Sequence, residues 1–310
     1  MRTKILVLGS VNTDLVIRGP RLPGRGETVL GGEFYRAAGG KGANQAVAAA
    51  RLGTEPVTFV AAVGDDDFGR TALAGFAREN LDCRYIKTVA GRPSGVALIL
   101  VDERGENLIS VASGANVDLT PADVDKVPVS TFDDAAVFLA CLESPLRTVA
   151  RAVERAKAAG CQTILNPAPA DRALLETGCL SRVDVITPNA SEATVLTEVS
   201  VTDDASAVTA AQALCQWGCR SAIITLGSAG CVVFDDGQPT HVPAQEVTSV
   251  DSTAAGDAFN GALAVALAEG RTLAEAARWA STAAAISVTR AGAQPSLPMR
   301  AELGAGAAQT

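Results

Sequence analysis

The sequence predicts an α/β fold: a central, mostly parallel sheet with helices on both faces, plus a small antiparallel β lid. Three observations carry this reading. Apolar runs of strand length recur along the 310 residues, helical patterns fall between most of them, and two β-prone regions break the alternation. A composition of 48% hydrophobic and 19% charged residues supports one large core and excludes wholesale disorder.

Ile5 to Leu8 is an unbroken apolar run ending at Gly9 and Ser10, the pattern of a parallel strand buried on both faces. Residues 14–38 hold Gly19, Pro20, Pro23, Gly24, Gly26, Gly31 and Gly32 around short β-prone pieces. The run AGGKGANQA from Ala38 then leads into a helix ending near Leu52. A second buried strand is expected over Val57–Val63. Residues 94–112 read as two strands joined by a turn at Asp102–Gly105, and with 14–38 they compose the lid. Further strands are expected at Ala135–Ala140, Thr163–Leu165, Val183–Thr187 and Ala222–Leu226, between helices such as Leu146–Ala159 and Ala205–Trp217. A last apolar helix follows Asp257, with Phe259, Leu263, Ala266 and Leu267 on one face. Residues 1–300 form a single domain without linker or internal repeat, and the alanine- and glycine-rich tail, 301–310, is expected to fray.

Lys and Arg number 26 against 34 Asp and Glu, a net charge of −8 with no basic cluster. Nucleic acid and anionic membranes are therefore poor partners, and an anionic ligand must be held by local amides and a few placed cations. Seven cysteines at uneven spacings in a long chain argue against a disulfide framework. Cys215 and Cys219 lack the further ligands of a metal site, and the lone His241 has no acidic or nucleophilic neighbour in sequence. No signal-peptide pattern or membrane-length apolar run occurs, so a cytoplasmic location is expected.

The stretch DSTAAGDAFN, Asp251 to Asn260, is the centre of the functional reading. Small residues at 254–256 let a helix start approach a ligand closely, and its unpaired amides attract phosphate. Asp257 in that turn is placed to take a proton from an attacking hydroxyl; alternatively it only complements the helix dipole. Gly40–Asn44 reads as a tight turn before a helix or as a close approach to a small polar ligand, with Asn44 both donor and acceptor. Asp14 suits a vicinal diol or an Asx turn, and Glu143 either a ligand or the first turn of the helix after Pro145. Glu192 completes a capping box with Asn189 or holds hydrated Mg2+, and Thr225–Gly230 is a hairpin turn or a phosphate site. The spacings of a Walker loop, a nucleophile elbow and a dinucleotide fingerprint are absent, which disfavours an NAD-dependent oxidoreductase.

Taken together and in order, GGKGAN (39–44), LESP (142–145), NPAPA (166–170), TPN (187–189), TLGS (225–228), DSTAAGDAFNG (251–261) and RAGAQPS (290–296) resemble the ribokinase-like carbohydrate kinases over nearly the whole chain. The resemblance implies their Rossmann-like fold and ATP-dependent phosphorylation of D-ribose at its 5-hydroxyl. It implies that Asn12, Thr13, Asp14, Gly40, Lys41, Gly42, Ala43, Asn44 and Glu143 hold the sugar, with Asp257 as base. The amides of Ala254, Ala255, Gly256 and Asp257 would form the anion hole. Asn189, Thr225, Leu226, Gly227, Ser228, Ala229, Gly230, Gly256, Asp257 and Ser281 would surround ATP, with Glu192 near Mg2+. Asp251, Thr253, Ser287, Arg290, Gly292 and Ser296 would hold an activating K+, several through backbone carbonyls. The lid would close over the site and pair two subunits into a homodimer. A sister kinase acting on deoxyribose, fructose or adenosine, and a non-catalytic sugar-binding regulator, are the competing readings.

Overall fold

The computed structural model describes residues 2–304. In chain order the strands are β1 (Lys4–Leu8), β2 (Asn12–Arg18), β3 (Glu33–Gly39), β4 (Val57–Gly64), β5 (Leu81–Val89), β6 (Gly95–Val101), β7 (Asn107–Ala112), β8 (Ala135–Cys141), β9 (Gln162–Asn166), β10 (Val185–Ile186), β11 (Ser221–Thr225), β12 (Cys231–Asp235) and β13 (Gln238–Val242). The α-helices are α1 (Lys41–Leu52), α2 (Asp67–Phe76), α3 (Pro121–Asp125), α4 (Val129–Asp134), α5 (Leu146–Ala158), α6 (Ala173–Glu176), α7 (Ala190–Thr197), α8 (Asp204–Gln216), α9 (Ala255–Ala268), α10 (Leu273–Ser287) and α11 (Arg300–Gly304).

Nine strands form the main sheet in the order β13-β12-β11-β10-β9-β8-β1-β4-β5. The seven from β5 to β11 run parallel, and β12 and β13 close one edge antiparallel. The apolar runs alternate their side chains between two buried layers. Ile5, Val7, Phe59 and Leu139 pack under α1, α9 and α10; Leu6, Leu8, Phe138 and Leu165 pack under α5, α7 and α8. A sheet covered on both faces binds its ligands beyond the carboxyl ends of its strands, near the point where strand order reverses. That point is β1, flanked by β4 and β8.

The four-stranded lid has the order β3-β2-β6-β7. Its β2–β3 and β6–β7 pairs are antiparallel, and the central β2–β6 pair is parallel. Asn12 and Asp14 thus both lie on a lid strand, which begins two residues before the expected lid boundary at 14. Register places Ile17, Phe34, Leu98 and Leu108 on the lid face opposite Asp14, and all four are exposed.

Three expectations shift. The strand proposed over Val183–Thr187 contracts to β10, because Val183 ends the helical turn Cys179–Arg182 before it, and Pro188 and the α7 cap Asn189 stand just after Thr187. Cys215 and Cys219, four apart and so expected on one helix, are separated, because α8 ends at Gln216 and Cys219 follows the turn at Gly218. The tail begins as a helix at Arg300 with Leu303 buried, while 305–310 lie outside the described residues.

Candidate active site

Two helices that face one cavity, α1 and α9, begin without a side-chain cap. Their first amides meet different fates. In α1, the Lys41 amide donates to Glu143 Oε2 at 3.0 Å, the Gly42 amide to Ser10 Oγ at 3.3 Å and the Ala43 amide to the Ser10 carbonyl at 2.9 Å. Ser10 Oγ in turn hydrogen-bonds Glu143. The glycines here serve the chain itself: a Cβ on Gly42 would come within 2.5 Å of the Gly9 Cα, and Gly40 has a φ of 90°. The close approach expected at Gly40–Ala43 is thus met first by the loop after β1.

The start of α9 stays open. Ala254 takes a left-handed conformation, φ 62°, uncommon for a residue with a Cβ and a mark of backbone held by its surroundings. Of the four amides expected to receive a phosphate, that of Ala255 donates to the Ser252 carbonyl at 3.2 Å. Among the described residues, those of Ala254, Gly256 and Asp257 have no protein acceptor. A Cβ on Gly256 would meet nothing within 4 Å, so this glycine borders open space. An anion there meets three free amides and the positive end of a 14-residue helix.

The cavity is lined by Lys41, Asn166, Ala168, Thr187, Asn189, Glu192, Thr225, Ser252 and Ala254–Asp257, with Asn260 behind. Asp257 is buried; its Oδ2 accepts from Asn44 Nδ2 at 2.9 Å and its Oδ1 from Gln45 Nε2 at 3.0 Å. Burial pushes its pKa up, against the pull of Lys41 and the two amides, and the net shift is upward. Burial draws the Lys41 ammonium down, but Asp257, Glu143 and Glu192 outweigh it and hold it above its ordinary value. Glu192 closes the capping box with Asn189, its Oε2 accepting the Asn189 amide at 2.9 Å, and also faces the cavity. The capping reading of Glu192 holds, and the same side chain also borders the cavity. Burial raises its pKa.

Asp14 sits above this group on β2. Burial, with Glu143 and Asp257 nearby, lifts its pKa to about 7. Asn12 Oδ1 accepts from Asn116 Nδ2 at 2.9 Å, while Asn12 and Thr13 border a second cleft with Phe68, Thr71 and Gln294. The sugar and anion ends of the sequence motif thus meet, 213 residues apart, at the Asn44–Asp257 hydrogen bond.

Other expected residues lie further out. Thr225 lines the cavity, but Leu226–Gly230 form a tight turn in which Leu226 donates to the Gly230 carbonyl at 2.8 Å. Gly227, Ser228 and Ala229 are exposed there. Ser281 on α10 lies beside the Cys231 thiol of β12, off the cavity wall. Asp251 ties two loops: Oδ1 accepts the Thr253 amide at 2.9 Å and Oδ2 the Gly292 amide at 2.8 Å. These bonds outweigh burial and hold its pKa low. Ser287 and Ser296 donate to the carbonyls of Ala284 and Ala293, and the Arg290 guanidinium pairs with Glu302. Gln45, Asn166, Thr187 and Asn260 were not expected as site residues. The signals for them are the NPAPA, TPN and DSTAAGDAFNG runs, which contain Asn166, Thr187 and Asn260, and the place of Gln45 beside Asn44.

Comparison with known proteins matches the chain to one family. The sequence profile described as "pfkB family carbohydrate kinase" covers residues 2–300. The chain belongs to that family. This kinase is 43% identical to the ribokinase of Haemophilus influenzae, over 97% of each chain. It is 36% identical to the deoxyribokinase of Salmonella typhimurium, over 95% of each. Its fold superposes on the Arabidopsis thaliana ribokinase solved with ribose and ATP at a TM-score of 0.87, with 29% identity over 98% of both chains. Among the described residues no helix is long and apolar enough to cross a membrane, and no group of three or more His, Cys, Asp or Glu is arranged to hold a metal ion.

Proposed function

We propose that this chain transfers the γ-phosphoryl group of ATP to O5 of D-ribose, giving D-ribose 5-phosphate and ADP. One observation supports it most: a buried carboxylate, Asp257, stands in the same turn as three unfilled amides and an open face at Gly256. The bond from sugar O5 to the γ-phosphorus forms as the bond to the β-bridging oxygen breaks, and the hydroxyl proton passes to Asp257. Such transfer asks for positioning and charge stabilisation more than for covalent help. The amides of Ala254, Gly256 and Asp257 receive the charge of the transferred group, Lys41 adds a cation, and Asp257 returns its proton to solvent after release.

Asn12, Thr13, Asp14, Asn44 and Glu143, with Gly40–Ala43 shaping the floor, hold the sugar; Asp14 accepts from two adjacent hydroxyls. Asn189, Thr225–Gly230, Gly256 and Ser281 surround the nucleotide. Glu192 offers a single carboxylate in a cavity with room beside it, which fits a Mg2+ that keeps most of its waters. Bound with ATP, that ion neutralises phosphate charge. Asp251, kept ionised between two loops, fits the one carboxylate of an otherwise carbonyl-lined K+ site made with Thr253, Ser287, Arg290, Gly292 and Ser296. That ion would brace the loop leading to α9. The exposed outer face of the lid supports a homodimer, and seven free thiols suit the cytoplasm.

A deoxyribose kinase is the second reading, favoured by the full-length similarity to the Salmonella deoxyribokinase. An ATP-coupled assay over pentoses, hexoses and nucleosides, with and without potassium, tests both. Highest kcat/KM on D-ribose with a 5-phosphate product supports the first reading; preference for 2-deoxyribose supports the second; absence of turnover on every acceptor rejects both.

A further inference from the structure

We propose that Gln45 is the positioning residue for Asp257, acting through a closed ring of buried hydrogen bonds that joins the carboxylate to the Gly256 carbonyl. This rests on the reading of Asp257 as the proton acceptor.

Gln45 is 0% exposed, one turn into α1. Its Nε2 lies 3.0 Å from Asp257 Oδ1 and 3.0 Å from Asn166 Oδ1, so both amide hydrogens are spent. Two acceptors on one side fix the amide orientation, because a flipped side chain would set its own oxygen against a carboxylate and a carbonyl. Asn166 Nδ2 passes to the Thr187 carbonyl at 3.0 Å, and Thr187 Oγ1 donates to Asn260 Oδ1 at 2.6 Å. Asn260 Nδ2 then donates to the Gly256 carbonyl at 2.8 Å, one peptide from Asp257. The ring draws on α1, the end of β9, the segment after β10, and α9. Gln45, Asn166, Thr187 and Asn260 are each at most 6% exposed.

Burying four polar side chains is unfavourable unless they pair, and apolar side chains would join these elements with less desolvation. What apolar packing cannot do is fix one oxygen of a carboxylate and the peptide beside it. Gln45 holds Oδ1 from an enclosed position and leaves Oδ2, met by Asn44, as the oxygen that exchanges its donor for a sugar hydroxyl. The Asn260 bond fixes the Gly256–Asp257 peptide, whose amide belongs to the anion site. Base and anion site are therefore set by one network. Other ionisable groups facing Asp257 are Lys41 of α1, Glu143 after β8, Cys141 of β8, Asp14 of β2 and Glu192 of α7.

The test compares wild type with Gln45→Met, which keeps length and loses the donor, and Gln45→Glu, which keeps shape and sets a second carboxylate beside the first. In Gln45→Met, kcat should fall by about ten- to a hundredfold, as expected for a misplaced reacting group. KM for sugar and ATP should stay within about twofold, since the loss is felt mainly in the transition state. The acid limb of the kcat–pH profile should rise by about one unit, because the charged carboxylate has lost a donor. It should rise further in Gln45→Glu, with activity regained at high pH. A carbon-13 titration of the Asp257 carboxyl reads the same upward shift without turnover. This separates failure of the positioning role from failure of the kinase reading. An unchanged acid limb and an unchanged Asp257 titration in both variants would overturn the proposal, whatever happens to melting temperature.

Discussion

The carboxylate of Asp14 lies against the Cα of Gly39: a Cβ at position 39 would come within 2.4 Å of both carboxylate oxygens. The last residue of β3 thus leaves room for a side chain of β2, and the two positions act as one. Gly39→Ala should move the Asp14 carboxylate and raise the sugar KM by about tenfold, the cost of one lost charge-assisted hydrogen bond. The KM for ATP should not change. Initial-rate kinetics with each substrate varied would show the split.

In its proposed role, the Asp14 carboxyl, lifted to about 7, should make sugar binding pH-dependent. Sugar hydroxyls donate to the ionised form, so binding lowers this pKa and releases a proton. The sugar KM should therefore fall as pH rises from about 6 to about 8, and calorimetry near pH 6.5 in buffers of different ionisation enthalpy should show protons released on binding. Asp14→Asn should bind more weakly and lose the dependence. In the unliganded protein the folded form keeps a proton that an unfolded aspartate, with pKa 3.8, gives up. This contribution favours folding fully below that value and is lost as pH climbs through the folded pKa.

The inner strands of the main sheet are legible in the sequence because burial on both faces writes them as unbroken apolar runs. The edge strands β5, with Asp82, Arg84 and Lys87 along it, and β13, largely exposed, carry no such run and are not legible. The start of α9 is legible because small residues and an aspartate precede an apolar helix. The partners of those residues are not. The Gln45–Asn166 bond spans 121 residues and the Val11–Asn116 bond 105, and no local spacing announces either. Glycines 40 and 42 signal a close approach, but only the fold reveals that the neighbouring group is the chain's own Gly9–Asn12 segment.

Asp251 holds the loop before α9 to the loop at Gly292. Asp251→Ala should lower kcat by about tenfold or more through disorder of the nearby amides and abolish stimulation by potassium. Rates in potassium chloride and in a large organic cation measure this. Full wild-type turnover in the organic cation would remove the cation from the account.

The lid presents Ile17 (43% exposed), Phe34 (61%), Leu98 (55%) and Leu108 (51%) on one outer face. A second lid packed there would bury them, so sedimentation should show a dimer at micromolar protein. Phe34→Asp combined with Leu98→Asp should give monomers, since each side chain loses a contribution of about 1.5–3 kcal/mol from burial.

The central claim is that Asp257 takes the proton of a sugar alcohol beside the amides that receive the phosphoryl group. Asp257→Asn keeps the shape and the Asn44 contact side while removing the base. Turnover of D-ribose with ATP should fall at least about a hundredfold, the lower range of general-base catalysis, with ribose affinity by calorimetry little changed. An Asp257→Asn enzyme that keeps a substantial fraction of wild-type kcat would contradict the account.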